Sequence, residues 1–263
     1  MDGKRIVVKV GTSTLLRSGG GVNFREMDGL CRVLSDLKNM GHQVILVSSG
    51  AIGVGAGKLG MRSRPADLRG KQAAAAVGQC ELMHLYDKFF AEYGQTVAQI
   101  LLTDEDVDHP VRAEHLAGTF AALLELGCIP VVNENDSVSS SEIETGQKKV
   151  LGDNDTLSAI VAGLCQADLL VLLSDIDGLY DDNPRTNPDA KLIHHVTAIT
   201  PQIEALATGG GTQWGTGGMT TKLTAARYAM TRGIEMVIAN SENPNILYDI
   251  VEGKDIGTRF SAQ

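Results

Sequence analysis

The chain has 263 residues, 43% hydrophobic, 21% charged and only 4% aromatic, with 30 glycines and a formal net charge of −9. That length holds one large α/β domain or two small ones with a real core, and the composition is that of a globular protein. The acidic balance, with no long basic run to offset it, argues against nucleic acid as the main partner, so a small anionic substrate would need a local positive site.

The run "RIVVKV" (Arg5–Val10) is predicted to be a buried strand. Asn23 with Glu26 forms an N-cap pair for a helix carrying Phe24, Met27, Leu30, Leu34 and Leu37 on one side, and Gly41 ends it. A second apolar run over residues 43–49 follows at once, giving a βαβ unit and hence a parallel sheet covered by helices. The alternation continues with a helix over roughly residues 71–93, a strand from Thr96, a helix beginning at Pro110 and a strand from Cys128. Residues 133–155 are polar, acidic and poor in apolar periodicity, and a loop of that length inside a domain is usually functional or mobile. Beyond it come a helix from about Thr156, a strand over 168–174, a turn-rich stretch to Asp189, a helix from Met219 and a strand from Ile234. The expectation is an α/β fold, one open and mainly parallel sheet in two lobes divided near the polar loop.

Cys31, Cys80, Cys128 and Cys165 are widely separated and sit among apolar residues, so buried, reduced thiols are expected rather than a zinc site or a disulfide scaffold. No apolar stretch approaches a membrane span and no signal-peptide pattern opens the chain, so a cytoplasmic protein without a membrane partner is expected.

Lys9 is anomalous, because an ammonium inside a buried strand costs several kcal/mol unless it meets an anion or lies at the strand's open end. Gly11, Thr12 and Ser13 follow it beyond the carboxyl end, where open α/β sheets bind ligands; the competing reading is a lysine snorkelling to the surface or paired structurally. The segment "GTGGMTTK" (residues 215–222) lacks the spacing of a P-loop, yet its glycines precede a helix with Met219, Leu223, Ala226 and Met230 on one face, a setting that favours anions. A flexible surface loop is the alternative. Gly55, Gly57 and Gly60 match a dinucleotide fingerprint only formally, because the segment is expected to begin several residues after the strand rather than to open a helix at once. Ser48, Ser49, Gly50 and Ala51 could instead offer hydroxyl and N–H donors at a strand end, or form a structural turn. "NEND" (residues 133–136) and "GDND" (152–155) bring together four carboxylates that suggest metal binding, recognition of an amine, or a solvated acidic loop. Asp155 could hold two lysines charged and in place. His194 and His195 lie in an apparent strand away from every glycine motif and read as structural.

Taken in order, "VVKVGTSTL", "VSSGAI", "RPADLRGKQAAAAVGQ", "QILLTDEDV", "IPVVNENDSV", "GDNDTLSA", "LLSDIDGLYDDNPR", "GTGGMTTKLTAA" and "IGTRF" resemble the amino acid kinase family over nearly the whole chain. Within that family "KQAAAAVGQ" and "NENDSV" point to the branch whose acceptor is glutamate, and the first motif lacks the Gly-Gly pair of the acetylglutamate and aspartate kinases. The resemblance implies an αβα sandwich in a single domain over residues 1–260, with about 1–155 binding the acceptor and about 156–260 the nucleotide. It implies that Lys9 and Lys222 stabilise the transferring phosphoryl group with Asp155 organising them. It places glutamate on Ser49, Gly50, Ala51, Asp136, Asp153 and Asn154. It places ATP on Lys9, Gly11, Ser174, Asp175, Thr216, Gly217, Gly218, Met219, Thr220, Thr221 and Lys222. Mg²⁺ would be bound mainly through ATP phosphates, with no dedicated protein metal site.

The implied product is γ-glutamyl phosphate, at the first step of proline biosynthesis. Implied partners are L-glutamate, ATP, further copies of the chain in a dimer or tetramer, proline as feedback inhibitor with residues 137–151 as its sensor, and a downstream glutamate-5-semialdehyde dehydrogenase. Two departures have no assigned consequence: "RAEHLAGTF" lacks the family's usual Asn and Arg, and Asn240-Ser241 stands where a glycine is common. Because the sequence stops just after "GTRF", the PUA domain of many bacterial relatives is expected to be absent. The alternatives are a different acceptor, such as acetylglutamate or a small phosphate monoester, and a non-catalytic ATP-binding regulatory subunit.

Overall fold

The apolar runs pair into one sheet in the computed structural model, which describes residues 3–17, 20–139, 153–184, 186–207 and 218–262. Its strands are β1 (Arg5–Val10), β2 (Gln43–Ser48), β3 (Thr96–Leu102), β4 (Cys128–Glu134), β5 (Leu169–Ser174), β6 (His195–Val196), β7 (Glu235–Asn240) and β8 (Thr258–Phe260), in the order β3-β4-β2-β1-β5-β7-β8-β6. From β3 to β7 all pairs are parallel; β8 runs antiparallel to β7. The first four strands therefore form one side of the sheet and the last four the other, meeting where β1 pairs with β5. Lys9 stands at that junction, opposite Val47 on one neighbour and Leu172 on the other.

Period-two alternation sends β1's side chains into two cores. Val7 packs with Ile45, Leu170 and Ile238 under helices α6 (Pro110–Glu125), α7 (Asn154–Leu164) and α9 (Met219–Met230). Ile6 and Val8 pack with Leu46 and Val171 under α2 (Phe24–Asn39), α4 (Leu68–Glu92) and α10 (Ile246–Val251). Layers of helices on both faces make the αβα sandwich, and parallel strands buried on both faces explain the unbroken apolar runs. Lys9 shares Val7's parity and so points toward the α7 side.

Several expectations need correction. Asn23 starts α2 but makes no side-chain cap, so the Asn23–Glu26 pair does not form. The segment after β2 opens a helix at once: α3 (Ala51–Lys58) starts from Gly50, whose φ of 96° is left-handed. Its glycines serve packing rather than a dinucleotide. A Cβ on Gly55 would lie 1.8 Å from the Ala74 carbonyl oxygen, and one on Gly78 1.8 Å from that of Ala51, so α3 and α4 touch backbone to backbone. Cys31 and Cys165 are buried, but Cys80 is exposed and Cys128 half-buried. Four short helices went unread: α1 (Thr12–Leu15), α5 (Asp104–Asp108), α8 (Pro201–Leu206) and α10; so did the antiparallel strand β8. No helix among the described residues is long and apolar enough to cross a membrane.

Candidate active site

Three charges meet at the carboxyl end of β1. Lys9 Nζ lies 2.7 Å from Asp155 Oδ1, and Lys222 Nζ lies 2.9 Å from Asp155 Oδ2. Each arrives by a different route. Lys9 comes from the centre of the sheet, Asp155 from the first turn of α7 and Lys222 from the first turn of α9, whose N-cap is Gly218. Asp153 sets the start of α7 by accepting from the backbone N–H groups of Asp155 (2.7 Å) and Thr156 (3.0 Å). The Lys222 ammonium donates a hydrogen bond to Oδ2, and Lys9 approaches Oδ1 at the distance of a charge-assisted contact. Thr221 Oγ1 lies 3.0 Å from Asp155 Oδ2 and 2.8 Å from the Gly218 carbonyl, so its single proton serves one of them at a time.

Exposure is 2% at Asp155, 9% at Lys9 and 6% at Lys222. Burial pushes the Asp155 carboxyl up, but Lys9 and Lys222 outweigh it and hold it down at about 2. The carboxylate is therefore ionised at every physiological pH. Two cations and one anion leave this buried cluster with a net charge of +1 at the end of the sheet. A buried, uncompensated cation is unfavourable until an anion reaches it.

On the β2 and β4 side a chain of amides and hydroxyls lines the strand ends. Asn154 Nδ2 donates to Ser49 Oγ (2.6 Å) and lies within 3.5 Å of Asn133 Oδ1, while Asn133 Nδ2 donates to Gln79 Oε1 (2.9 Å). Ser49, Asn133 and Asp155 are buried; Asn154 and Asp153 are half-buried. Gly50 and Ala51 begin α3 beside this network. Asp136 lies half-buried two residues past β4, on the same rim. On the β5 and β7 side, Ser174 is buried with Oγ 3.3 Å from the exposed Asp175, and Asn240 Nδ2 donates to Asp177 (2.7 Å). Gly11 stands beside the Lys9 ammonium: a Cβ there would lie 3.8 Å from Nζ. Met219 packs on the core and Thr220 lies 3.5 Å from the Ala207 carbonyl. Thr216 and Gly217 lie outside the described residues, as do positions 140–151 of the segment read as a proline sensor.

Lys9, Asp155 and Lys222 are thus brought together, and Ser49 and Asn154 are bonded to each other. Residues 4–240 match the model of the amino acid kinase family. The chain belongs to the amino acid kinase family. A protein of Clostridium perfringens named glutamate 5-kinase is 56% identical over 262 residues, covering 100% of this chain and 97% of that protein. One of the same name from Listeria monocytogenes is 54% identical over 100% of this chain and 94% of its own length. Among solved structures, carbamate kinase from Giardia lamblia bound to AMP-PNP superposes with a TM-score of 0.68 at 15% identity, covering 99% of each chain; that likeness shows the fold alone.

Other polar pairs near these strand ends are brought together only by the fold. Gln79 is one polar position in an alanine-rich helix, and nothing in the sequence pairs it with Asn133. Thr14 and Ser241, 227 positions apart, form a buried hydroxyl pair at 2.8 Å.

Proposed function

We propose that the chain transfers the γ-phosphoryl group of ATP to the γ-carboxylate of L-glutamate, giving γ-glutamyl phosphate and ADP. The observation that carries this reading is the buried cluster of net charge +1, Lys9–Asp155–Lys222, between an amide-lined rim and the ends of β5 and β7. The names and identities of the relatives supply the acceptor.

In this reaction a carboxylate oxygen forms a bond to Pγ while the bond from Pγ to the bridging oxygen breaks, its electron pair leaving with ADP. A carboxylate is ionised at neutral pH, so no general base is required and the protein's task is to position two anions and offset their repulsion. Lys9 and Lys222 do this, each worth ~3 kcal/mol by analogy with oxyanion donors. Asp155 contacts both ammoniums and holds them in place. Ser49, Asn154 and Asn133 provide the acceptor side; Gly11, Ser174 and the start of α9 provide the nucleotide side.

Among the described residues no group of three or more His, Cys, Asp or Glu is placed to hold a metal ion. Asp155, the carboxylate at the centre, is already compensated by two ammoniums. Mg²⁺ enters this proposal as the ion carried on ATP phosphates.

The test follows ADP release with glutamate, acetylglutamate and a small phosphate monoester as acceptors. Glutamate is expected to be preferred. Preference for another acceptor would overturn the substrate assignment, and ATP binding without turnover on any of them would make the chain a binding subunit.

A further inference from the structure

The short helix α1, directly after Lys9, is held differently on its two flanks. Toward α3 it is held by apolar packing. Leu15 is fully buried, a Cβ on Gly50 would meet Leu15 and Thr12 at 3.8 Å, and Leu16 stands so close to Gly53 that a Cβ there would lie 2.4 Å from it. Toward β7 it is held by polar contact, Thr14 Oγ1 donating to Ser241 Oγ at 2.8 Å, with exposures of 9% and 8%. Ser241 is in turn fixed to β5, because its N–H donates to the Ser174 carbonyl at 2.8 Å. The hydroxyl pair thus spans from β1 across β5 to β7, joining the Gly11 turn beside the Lys9 ammonium to the strand ends at Ser174 and Asn240.

We infer that Thr14 and Ser241 are positioning residues for the nucleotide: their hydrogen bond sets the place of the Gly11–Lys9 turn relative to Ser174. The inference rests on the kinase reading above and deepens it. A buried hydroxyl whose partner is removed loses the bond and is left desolvated, so the α1 flank facing β7 shifts to find water or another acceptor. The packing toward α3 is untouched by that change, so the acceptor side keeps its geometry. Neither residue is placed to touch a reacting group, and the effect is transmitted through the turn.

The experiment compares the wild type with Ser241→Ala, Thr14→Val and Thr14→Ser. It measures KM for ATP and for glutamate separately, the Kd for Mg²⁺·AMP-PNP by calorimetry, and the melting temperature. Loss of one such bond corresponds to about three- to tenfold in affinity. Ser241→Ala and Thr14→Val are expected to raise KM for ATP and Kd for AMP-PNP by that factor and to leave KM for glutamate within about twofold of wild type. Thr14→Ser, which keeps the hydroxyl, is expected to stay near wild type. Unchanged AMP-PNP affinity, an equal rise in both KM values, or a lower melting temperature as the sole effect would each overturn the inference. If Ser241→Ala does not fold, the Thr14→Val and Thr14→Ser pair decides it in the same way. A wild type that ignores glutamate would sink the acceptor assignment while leaving the AMP-PNP comparison intact.

Discussion

Lys9 and Lys222 reach the same carboxylate from opposite kinds of structure. Lys9 projects from a central strand whose backbone is paired on both edges, to β2 and to β5, so the sheet itself fixes its Cα. Lys222 sits one turn into α9, and its local support is Thr221, which contacts both Asp155 and the Gly218 carbonyl. One ammonium is placed by a strand paired on both edges, the other by a helix terminus leaning on the anion it serves. The difference teaches that Asp155 does unequal work for its two partners: it neutralises Lys9, but it both neutralises and locates Lys222.

The sharpest way to break that comparison is to remove the anion. Asp155→Asn should leave two buried ammoniums facing each other, costing about 3–5 kcal/mol of stability and lowering kcat by more than about a thousandfold. Urea titration and steady-state assays would register both. Stability near wild type would show that the ammoniums are hydrated rather than buried.

Removing one cation should cost less. Lys9→Ala and Lys222→Ala should each reduce kcat by about 10²- to 10³-fold while the remaining lysine keeps Asp155 paired and the fold intact. Either variant retaining near wild-type turnover would take that residue out of the mechanism.

Thr221→Val sharpens the contrast further. It removes the hydroxyl beside Asp155 and should lower kcat by roughly tenfold through the Lys222 side. Double variants give an independent readout: Thr221→Val should add little to Lys222→Ala, whose ammonium is already gone, and should add fully to Lys9→Ala. Equal additivity in both backgrounds would mean that the two ammoniums share one support.

The smallest effect concerns pH. A carboxyl held down at about 2 contributes stability that is present above the unfolded carboxylate range near 4 and is lost as pH falls through 2. That contribution is about 2 kcal/mol, and it predicts no change attributable to Asp155 between pH 5 and pH 8. In urea titrations at a series of pH values, wild type should keep a constant stability advantage over Asp155→Asn between pH 5 and pH 8 and lose part of it as pH falls from about 4 to about 2.

The anomalies were legible where local chemistry was enough. A lysine in a run of valines needs an anion, and an N-terminal aspartate on the following half's first helix could supply it; both signals lie in short strings of sequence. The order of the sandwich layers was also legible, because strands buried on both faces must be apolar throughout. What stayed hidden required contact between distant segments. The glycines of α3 resembled a nucleotide loop because close helix packing and phosphate approach both demand the absence of a side chain, and only Ala74 and Ala51 standing 1.8 Å from the added Cβ atoms distinguish the two. Asn23 looked like a cap because its residue type is right, yet capping depends on a side-chain rotamer that composition does not fix. In the sequence Ser241 stands out merely as a departure from glycine, since its partner, Thr14, lies at the other end of the chain.

The most direct test is a crystal structure with ADP, glutamate and an aluminium fluoride ion in place of the transferring phosphoryl group. The Nζ atoms of Lys9 and Lys222 should both lie within about 3.2 Å of its equatorial fluorines while still contacting Asp155, the reach of a charge-assisted hydrogen bond. If either ammonium instead turns to solvent, or the fluoride ion binds away from the Asp155 cluster, the charge-neutralising role assigned to the two lysines is wrong.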